Sequence, residues 1–155
     1  KRMAEQTPAD RASLRIYADI EVGDTTSDIP MRVDRASYDA GLERITERLP
    51  IYDAKGVLSP ANVIRLAHMS RPFVPAKSKS PYVGLFGALE VRQLAGPLLA
   101  DRDYVGRTTM RKITESPRTE NVWYDVDIAD PATGRDVASV TFMIRAMKAS
   151  SPLWS

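Results

Sequence analysis

The sequence predicts an α+β fold in which an antiparallel sheet curves around one apolar helix. Helical patterns fall between about residues 34 and 71, whereas the apolar patterns after Pro81 alternate as they do in strands. The second helical pattern is apolar almost all round, so other structure has to cover it on several sides. The concave face of a curved sheet provides such a cover. A length of 155 residues fits one domain over 1–155.

The helical half predicts two helices, preceded by short extended pieces, LRIYADIEVGD and DIPMRVD. Asp34 is a typical N-cap, and Pro50 is expected to end the helix that follows at about Leu49. Ser59 and Pro60 together predict the start of the second helix, PANVIRLAHMSR, because serine caps helices and proline fits the first helical position. The first helix presents one apolar stripe, formed by Tyr38, Leu42, Ile45 and Leu49.

The second half predicts three or four long strands. The first is YVGLFGALEVRQL, whose apolar face is expected to consist of Val83, Leu85, Leu89 and Val91. A second strand follows over 98–117, with an expected interruption near Gly106. The segment NVWYDVDIADPATGRDVASVTFMIRAM predicts a long antiparallel hairpin around the turn ADPATGRD.

Composition excludes several function classes. There is no cysteine, which rules out disulfides, thiolate metal sites and cysteine nucleophiles. The net charge of +2 comes from interspersed charges of both signs, and no His/Asp/Glu cluster has metal-ligand spacing, so neither nucleic acid nor metal is expected. No apolar run approaches the ~20 residues of a membrane span. We expect residues 1–13 to be a flexible polar leader and the protein to be cytoplasmic.

Three stretches resemble the MaoC-like hydratases and dehydratases, which act on acyl thioesters. These stretches are IEVGD, VGLFGALEVRQLAGPLLADRDYVGRTTMRKI and YDVDIADPATGRDVASVTFMIRA, and together they cover roughly residues 18–148. The resemblance implies a hotdog fold, that is, a curved antiparallel sheet wrapped around a central helix.

Active members of that family carry the motif D-x-N-P-x-H, whose Asp and His position and deprotonate a water molecule. Residues 47–52, ERLPIY, align with it when Pro50 is in register, and Pro50 is the single identity. The alignment puts Glu47 at the Asp position, Leu49 at the Asn position and Tyr52 at the His position. The resemblance therefore implies Glu47 and Tyr52 as catalytic candidates.

The exchange of histidine for tyrosine weakens base catalysis. Histidine titrates near 6.5 and tyrosine near 10, so only about one tyrosine in 1,000 is ionised at pH 7. Tyr52 is then a hydrogen-bond or proton donor, whereas Glu47 can activate water if burial raises its pKa. In the alternative interpretation, Glu47 is a solvent-facing carboxylate and Tyr52 a packing residue.

His68 is the only histidine in the chain. It is either a core residue of the second helix or a catalytic replacement for the missing motif histidine. Asp53 is similarly either a turn residue before Gly56 or a displaced catalytic acid.

The resemblance places the thioester carbonyl at the N-terminus of the central helix. There the backbone amides of Ala61 and Asn62 would stabilise a developing enolate oxygen, because Pro60 has no N–H. Ser59 is either an N-cap or a nucleophile. A nucleophilic serine needs a base partner, whereas an N-cap does not. Basic residues after this helix would meet the phosphates of coenzyme A or phosphopantetheine, or would form a solvated loop; these are Arg71, Lys77 and Lys79.

These observations lead to a MaoC-like protein that binds acyl thioesters, as acyl-CoA or acyl carrier protein esters, and acts as an enoyl thioester hydratase or dehydratase. The alternatives are a catalytically inactive hotdog subunit that binds acyl chains or pairs with an active partner, and a hotdog thioesterase or decarboxylase. No cofactor is expected apart from the coenzyme A or phosphopantetheine of the substrate. A homodimer or higher homo-oligomer is expected, because a hotdog sheet leaves a strand edge open.

Overall fold

The computed structural model describes residues 15–70 and 81–152. Five strands, three α-helices and one 3₁₀ turn, Lys148–Ser150, form this part of the chain. In chain order, the helices and strands are β1 (Ile29–Arg32), α1 (Arg35–Leu42), α2 (Pro50–Lys55), α3 (Pro60–His68), β2 (Val83–Gln93), β3 (Asp103–Glu115), β4 (Thr119–Ala129) and β5 (Asp136–Met147).

All five strands belong to one antiparallel sheet with the order β1-β3-β4-β5-β2. Helix α3 packs against β2 and β4, and its Val63, Leu66 and Ala67 are completely buried. The predicted α+β arrangement of a sheet covering one apolar helix is confirmed. This helix ends at His68, and its first turn is the predicted thioester position.

The hairpin formed by β4 and β5 agrees with its prediction. Val126 lies opposite Val140 at its centre, and Gly134 takes a left-handed φ of 67° in the connecting turn. Alternate side chains of both strands point into the core: Val122, Tyr124, Val126, Ile128, Ala138, Val140, Phe142 and Ile144 are all buried.

Helix α1 begins as predicted but ends early. The Ser37 N–H donates to Asp34 Oδ1 at 2.8 Å, and this hydrogen bond lowers the pKa of Asp34. The helix stops at Leu42 rather than near Leu49, and Pro50 begins α2 instead of ending α1. The residue before a proline is driven towards extended backbone, and Leu49, with φ −77° and ψ 139°, caps the new helix in that conformation.

Two strand predictions are wrong in detail. The predicted short strand or extended segment LRIYADIEVGD is not extended over its described residues, 15–24, which form turns, because the amides of Ile16 and Tyr17 donate to the Glu120 carboxylate rather than to a strand ladder. Strand β3 runs through Gly106 without a break. A Cβ at Gly106 would lie 2.5 Å from Met31 Cε and 2.6 Å from Ser70 Cβ, so glycine is required there for close packing.

Strand β2 lacks the buried face that its sequence predicts. It lies at an end of the strand order, and Val83, Leu85, Phe86 and Leu89 are 54%, 49%, 59% and 42% exposed. A register shift between Phe86 and Ala88 interrupts its pairing with β5. The described part of a single chain therefore leaves much of the apolar surface of β2 unburied.

Over the described ranges, no helix combines the length and the apolarity that crossing a bilayer requires. Residues 1–13, for which we expected a flexible leader, lie outside these ranges.

Candidate functional site

The first turn of α3 is a capped and partly accessible helix N-terminus. Ser59, which is buried, accepts a hydrogen bond at its Oγ from the Asn62 N–H at 3.3 Å. Its carbonyl accepts from the Val63 N–H at 2.9 Å, and Pro60 occupies the first helical position. The predicted N-cap is confirmed. Ala61, the second residue of the helix, is exposed.

Tyr38 is the residue of this region that the sequence did not single out. Its side chain is fully buried, and its hydroxyl lies 2.7 Å from the Tyr52 carbonyl oxygen and 2.9 Å from that of Val57. Burial raises the pKa of this hydroxyl, which keeps it protonated as a donor. Tyr38 thereby fixes α2 against the segment that leads to Ser59. The sequence signal for this role was that Tyr38 lies in an otherwise apolar stripe. A buried tyrosine usually needs a polar partner for its hydroxyl.

The two motif positions lie before and within α2. Tyr52 is the third residue of α2 and is half-buried against the core. Glu47 is exposed in the irregular segment between α1 and α2. Asp53 forms an ion pair with Arg48 at the surface. The burial that a water-activating carboxylate needs is thus not provided at Glu47 by the described part of this chain. The catalytic roles of Glu47, Tyr52 and Asp53 remain predictions.

His68 lies at the opposite end of α3 from Ser59. A separation of nine residues corresponds to roughly 13 Å along a helix axis. The imidazole packs 5.0 Å from the Phe142 ring and 5.5 Å from the Phe86 ring, measured between centroids. The structure therefore places His68 in an aromatic cluster under β2, away from the first turn of the helix. Its catalytic role also remains a prediction.

Arg71, Lys77 and Lys79 lie outside the described residues, so their predicted phosphate contacts stay predictions. Within the described ranges, no group of three or more His, Cys, Asp or Glu side chains is arranged to hold a metal ion.

Three surface cavities do not coincide with the predicted thioester position. The largest, of about 310 Å³, lies between the N-terminal turns and the ends of β3 and β4, where Tyr17 and Glu120 line it. The others, of about 280 and 200 Å³, lie beside Met69 and beside Arg135. None of the three is lined by Ser59, Ala61 or Asn62.

Solved structures match this arrangement of one sheet around one helix. A hot-dog-like protein from Thermanaerovibrio acidaminovorans superposes with a TM-score of 0.61 and 16% identity, over 83% of this chain and 84% of that chain. The chain has a hotdog fold. The predicted fold class is therefore confirmed.

Among hotdog proteins, this chain resembles dehydratases in structure. The MaoC-like dehydratase from Rhodospirillum rubrum matches with a TM-score of 0.59 and 18% identity, over 86% of this chain and 97% of that chain. The HadBC (3R-hydroxyacyl-ACP dehydratase) complex from Mycobacterium tuberculosis matches with a TM-score of 0.68 and 11% identity, over 81% of this chain and 98% of that chain. No family profile and no curated protein matches the sequence. At these identities the hotdog likeness establishes the fold and leaves the reaction to be argued from the site.

Proposed function

We propose that this hotdog chain is a MaoC-like protein that binds acyl thioesters, carried by coenzyme A or by an acyl carrier protein. The observation that carries the proposal is the first turn of α3, where Ser59 caps the helix and Ala61 is an exposed residue. A helix N-terminus presents free N–H groups and a positive dipole end, both of which favour a carbonyl oxygen that gains negative charge.

The reaction that fits this site is hydration of an enoyl thioester, or its reverse. Tyr52 would donate a hydrogen bond or proton, and Glu47 would activate the water molecule. This assignment requires Glu47 to be covered when substrate binds, because it is exposed in the described chain. A probable thioesterase from Bartonella henselae and a thioesterase superfamily member from Thermus thermophilus also match in structure, so hydrolysis of the thioester is a competing reaction.

Turnover of crotonyl-CoA tests this reaction. We expect purified protein to hydrate it, and we expect Glu47→Gln and Tyr52→Phe each to lower the rate by about 100-fold, the usual size of a lost acid–base contribution. Loss of the enoyl absorbance measures hydration, and mass analysis of the products separates hydration from hydrolysis.

Glu43→Gln is the matched control for turnover, because it removes the same charge from a nearby exposed position. It is expected to leave the rate unchanged. The hydratase assignment is wrong if enoyl thioesters of several chain lengths bind without reacting. The broader binding proposal is wrong if calorimetry detects no binding of any acyl-CoA or acyl carrier protein ester.

A second candidate is a subunit that binds acyl chains and depends on a paired hotdog chain for catalysis. Two observations favour it: Glu47 is exposed, and β2, the end strand of the described sheet, presents a row of exposed apolar side chains. An exposed apolar edge strand is typical of a surface that pairs with another chain. One solved match, HadBC, is itself a complex of hotdog chains.

The molecular mass of the purified chain in solution tests whether two copies of it pair through β2. We expect light scattering to give at least twice the 17.2 kDa of one chain, and we expect the double variant Leu85→Glu, Leu89→Glu to halve that mass. Val22→Glu is the control, since Val22 is 63% exposed but lies outside β2. A wild-type monomer at about 100 μM, a concentration well above the Kd of a stable interface, would refute a homodimer.

A further inference from the structure

A cavity of about 200 Å³ lies where the loop between β2 and β3 meets the turn between β4 and β5. Its lining includes two arginines, Arg102 from the loop and Arg135 from the turn, and one acid, Asp130. Positive charge therefore exceeds negative charge in this lining. A concave surface with an excess of positive charge attracts small anions.

The single acid of the cavity is already engaged within the protein. Asp130 Oδ1 accepts from the Ala132 N–H at 2.9 Å, and Asp130 Oδ2 accepts from Arg102 Nη2 at 2.5 Å. The Arg102 guanidinium carbon also lies 5.9 Å from the centre of the Tyr104 ring. Asp130 and Tyr104 thus position Arg102, whose guanidinium has five N–H groups and keeps some of them for another acceptor. A side chain positioned in advance loses less entropy when a ligand binds.

Arg135 supplies the charge that remains in excess. Among the described residues, no carboxylate pairs with its guanidinium, and the side chain is exposed. Its backbone is fixed by the turn: the Arg135 N–H donates to Thr133 Oγ1 at 3.3 Å, and the Arg135 carbonyl oxygen accepts from the Asp130 N–H at 3.0 Å. Thr133 also lines the cavity, and its hydroxyl hydrogen is not used in accepting this bond.

We propose that this cavity binds a phosphate group, held by the guanidinium groups of Arg102 and Arg135 with the Thr133 hydroxyl as a third donor. The planar fork of N–H groups on arginine matches the oxygens of a phosphate, and hydrogen bonds between charged partners are about twice as strong as neutral ones. The inference goes beyond the proposed thioester function, because none of these three residues belongs to the first turn of α3.

Two kinds of molecule carry such a phosphate: the nucleotide part of coenzyme A, and a separate phosphorylated small molecule. The loop that carries Arg102 also contacts the segment before α3. The Leu58 N–H donates to the Leu98 carbonyl oxygen, and the Ala100 N–H donates to the Gly56 carbonyl oxygen, both at 2.8 Å. A phosphate in the cavity would therefore bind to the same loop that supports the start of α3.

Titration with inorganic phosphate, followed by amide chemical shifts, measures both the affinity and the location of binding. We expect a Kd on the order of 1 mM, as two charged contacts would give, and the largest shifts at Thr133, Gly134 and Arg135. Arg135→Gln should raise the Kd about 10-fold, because it removes one charged contact without breaking an ion pair of the described chain.

Arg118→Gln is the matched control for this titration. Arg118 is also an exposed arginine in a hairpin turn, the one between β3 and β4, and it does not line the cavity. Its replacement removes the same charge and is expected to leave the Kd unchanged. If Arg118→Gln weakened binding as much as Arg135→Gln, binding would reflect net charge alone and the site would be refuted.

Adenosine 3′,5′-bisphosphate, which carries two phosphates of the coenzyme A nucleotide, identifies the source. If it binds about 10-fold more tightly than inorganic phosphate and loses that affinity in Arg135→Gln, the cavity holds the nucleotide of coenzyme A. Equal affinity of the two probes, with the same dependence on Arg135, assigns the cavity to a separate phosphorylated molecule. The proposal is wrong if neither probe shifts the amides of the turn at about 10 mM, ten times the expected Kd.

Discussion

Replacing Glu120 by alanine is expected to lower the free energy of unfolding by about 3 kcal/mol, because it leaves buried donors without an acceptor. Glu120 is 2% exposed. Its Oε1 accepts from the Ile16 N–H at 2.9 Å and its Oε2 from the Tyr17 N–H at 3.2 Å. Ile16 and Tyr17 are themselves buried, so releasing their backbone also exposes part of the core.

Urea unfolding measures the loss, and amide hydrogen exchange locates it. The amides of Ile16 and Tyr17 should exchange much faster in Glu120→Ala, whereas exchange at the centre of β4 should become faster only by the loss of global stability. Asp28→Ala is the matched control: its carboxylate is half-exposed and pairs with Arg107, so about 0.5 kcal/mol or less is expected. Retained protection of both amides in Glu120→Ala would show that the carboxylate does not hold this segment.

Replacing Phe142 by alanine is expected to cost about 3–5 kcal/mol, the usual range for a large buried aromatic side chain. Phe142 is completely buried on β5. Its ring stacks on Tyr124 at 5.1 Å and lies in a T-shaped arrangement with His68 at 5.0 Å, measured between centroids. The substitution therefore leaves a cavity between the sheet and the end of α3, and it frees the imidazole from one wall.

Guanidinium unfolding measures this loss, and the ring proton signals of His68 report the change of environment. Phe142→Leu is the conservative partner, with an expected cost of about 1.5 kcal/mol, because it keeps most of the apolar volume. If Phe142→Leu cost as much as Phe142→Ala, the retained apolar volume would not account for the stability, and the loss would come from the ring contacts with Tyr124 and His68.

The parts of the fold that the sequence predicts correctly depend on local chemistry. Ser59 and Pro60 start α3 as expected, because a cap and a first-turn proline act within one turn. The β4–β5 hairpin is likewise set by its alternation and by the turn around Gly134. Asp34 starts α1 for the same local reason.

Two of the parts predicted wrongly depend on residues far away in the sequence. Glu120 captures the amides of Ile16 and Tyr17 across more than 100 positions, so no local pattern reveals that this stretch forms turns. Gly106 continues a strand because Met31 and Ser70 lie against it. At the candidate site, the chemistry of Ser59 was readable from the cap pattern. The hydrogen bonds of Tyr38 emerge only when α1 meets α2 and the segment before α3.

The pairing of β2 with β5 also determines how long β2 stays unpaired while the chain is synthesised on the ribosome. Gln93 pairs with Ala138 and Val83 with Met147, so β2 is synthesised 45 to 64 residues before its partners. At roughly 5–20 residues per second, that interval lasts about 2–13 s. Throughout it, an apolar strand has no neighbour on either side. An unpaired apolar strand is prone to aggregation, so slower synthesis prolongs the period in which the nascent chain is at risk.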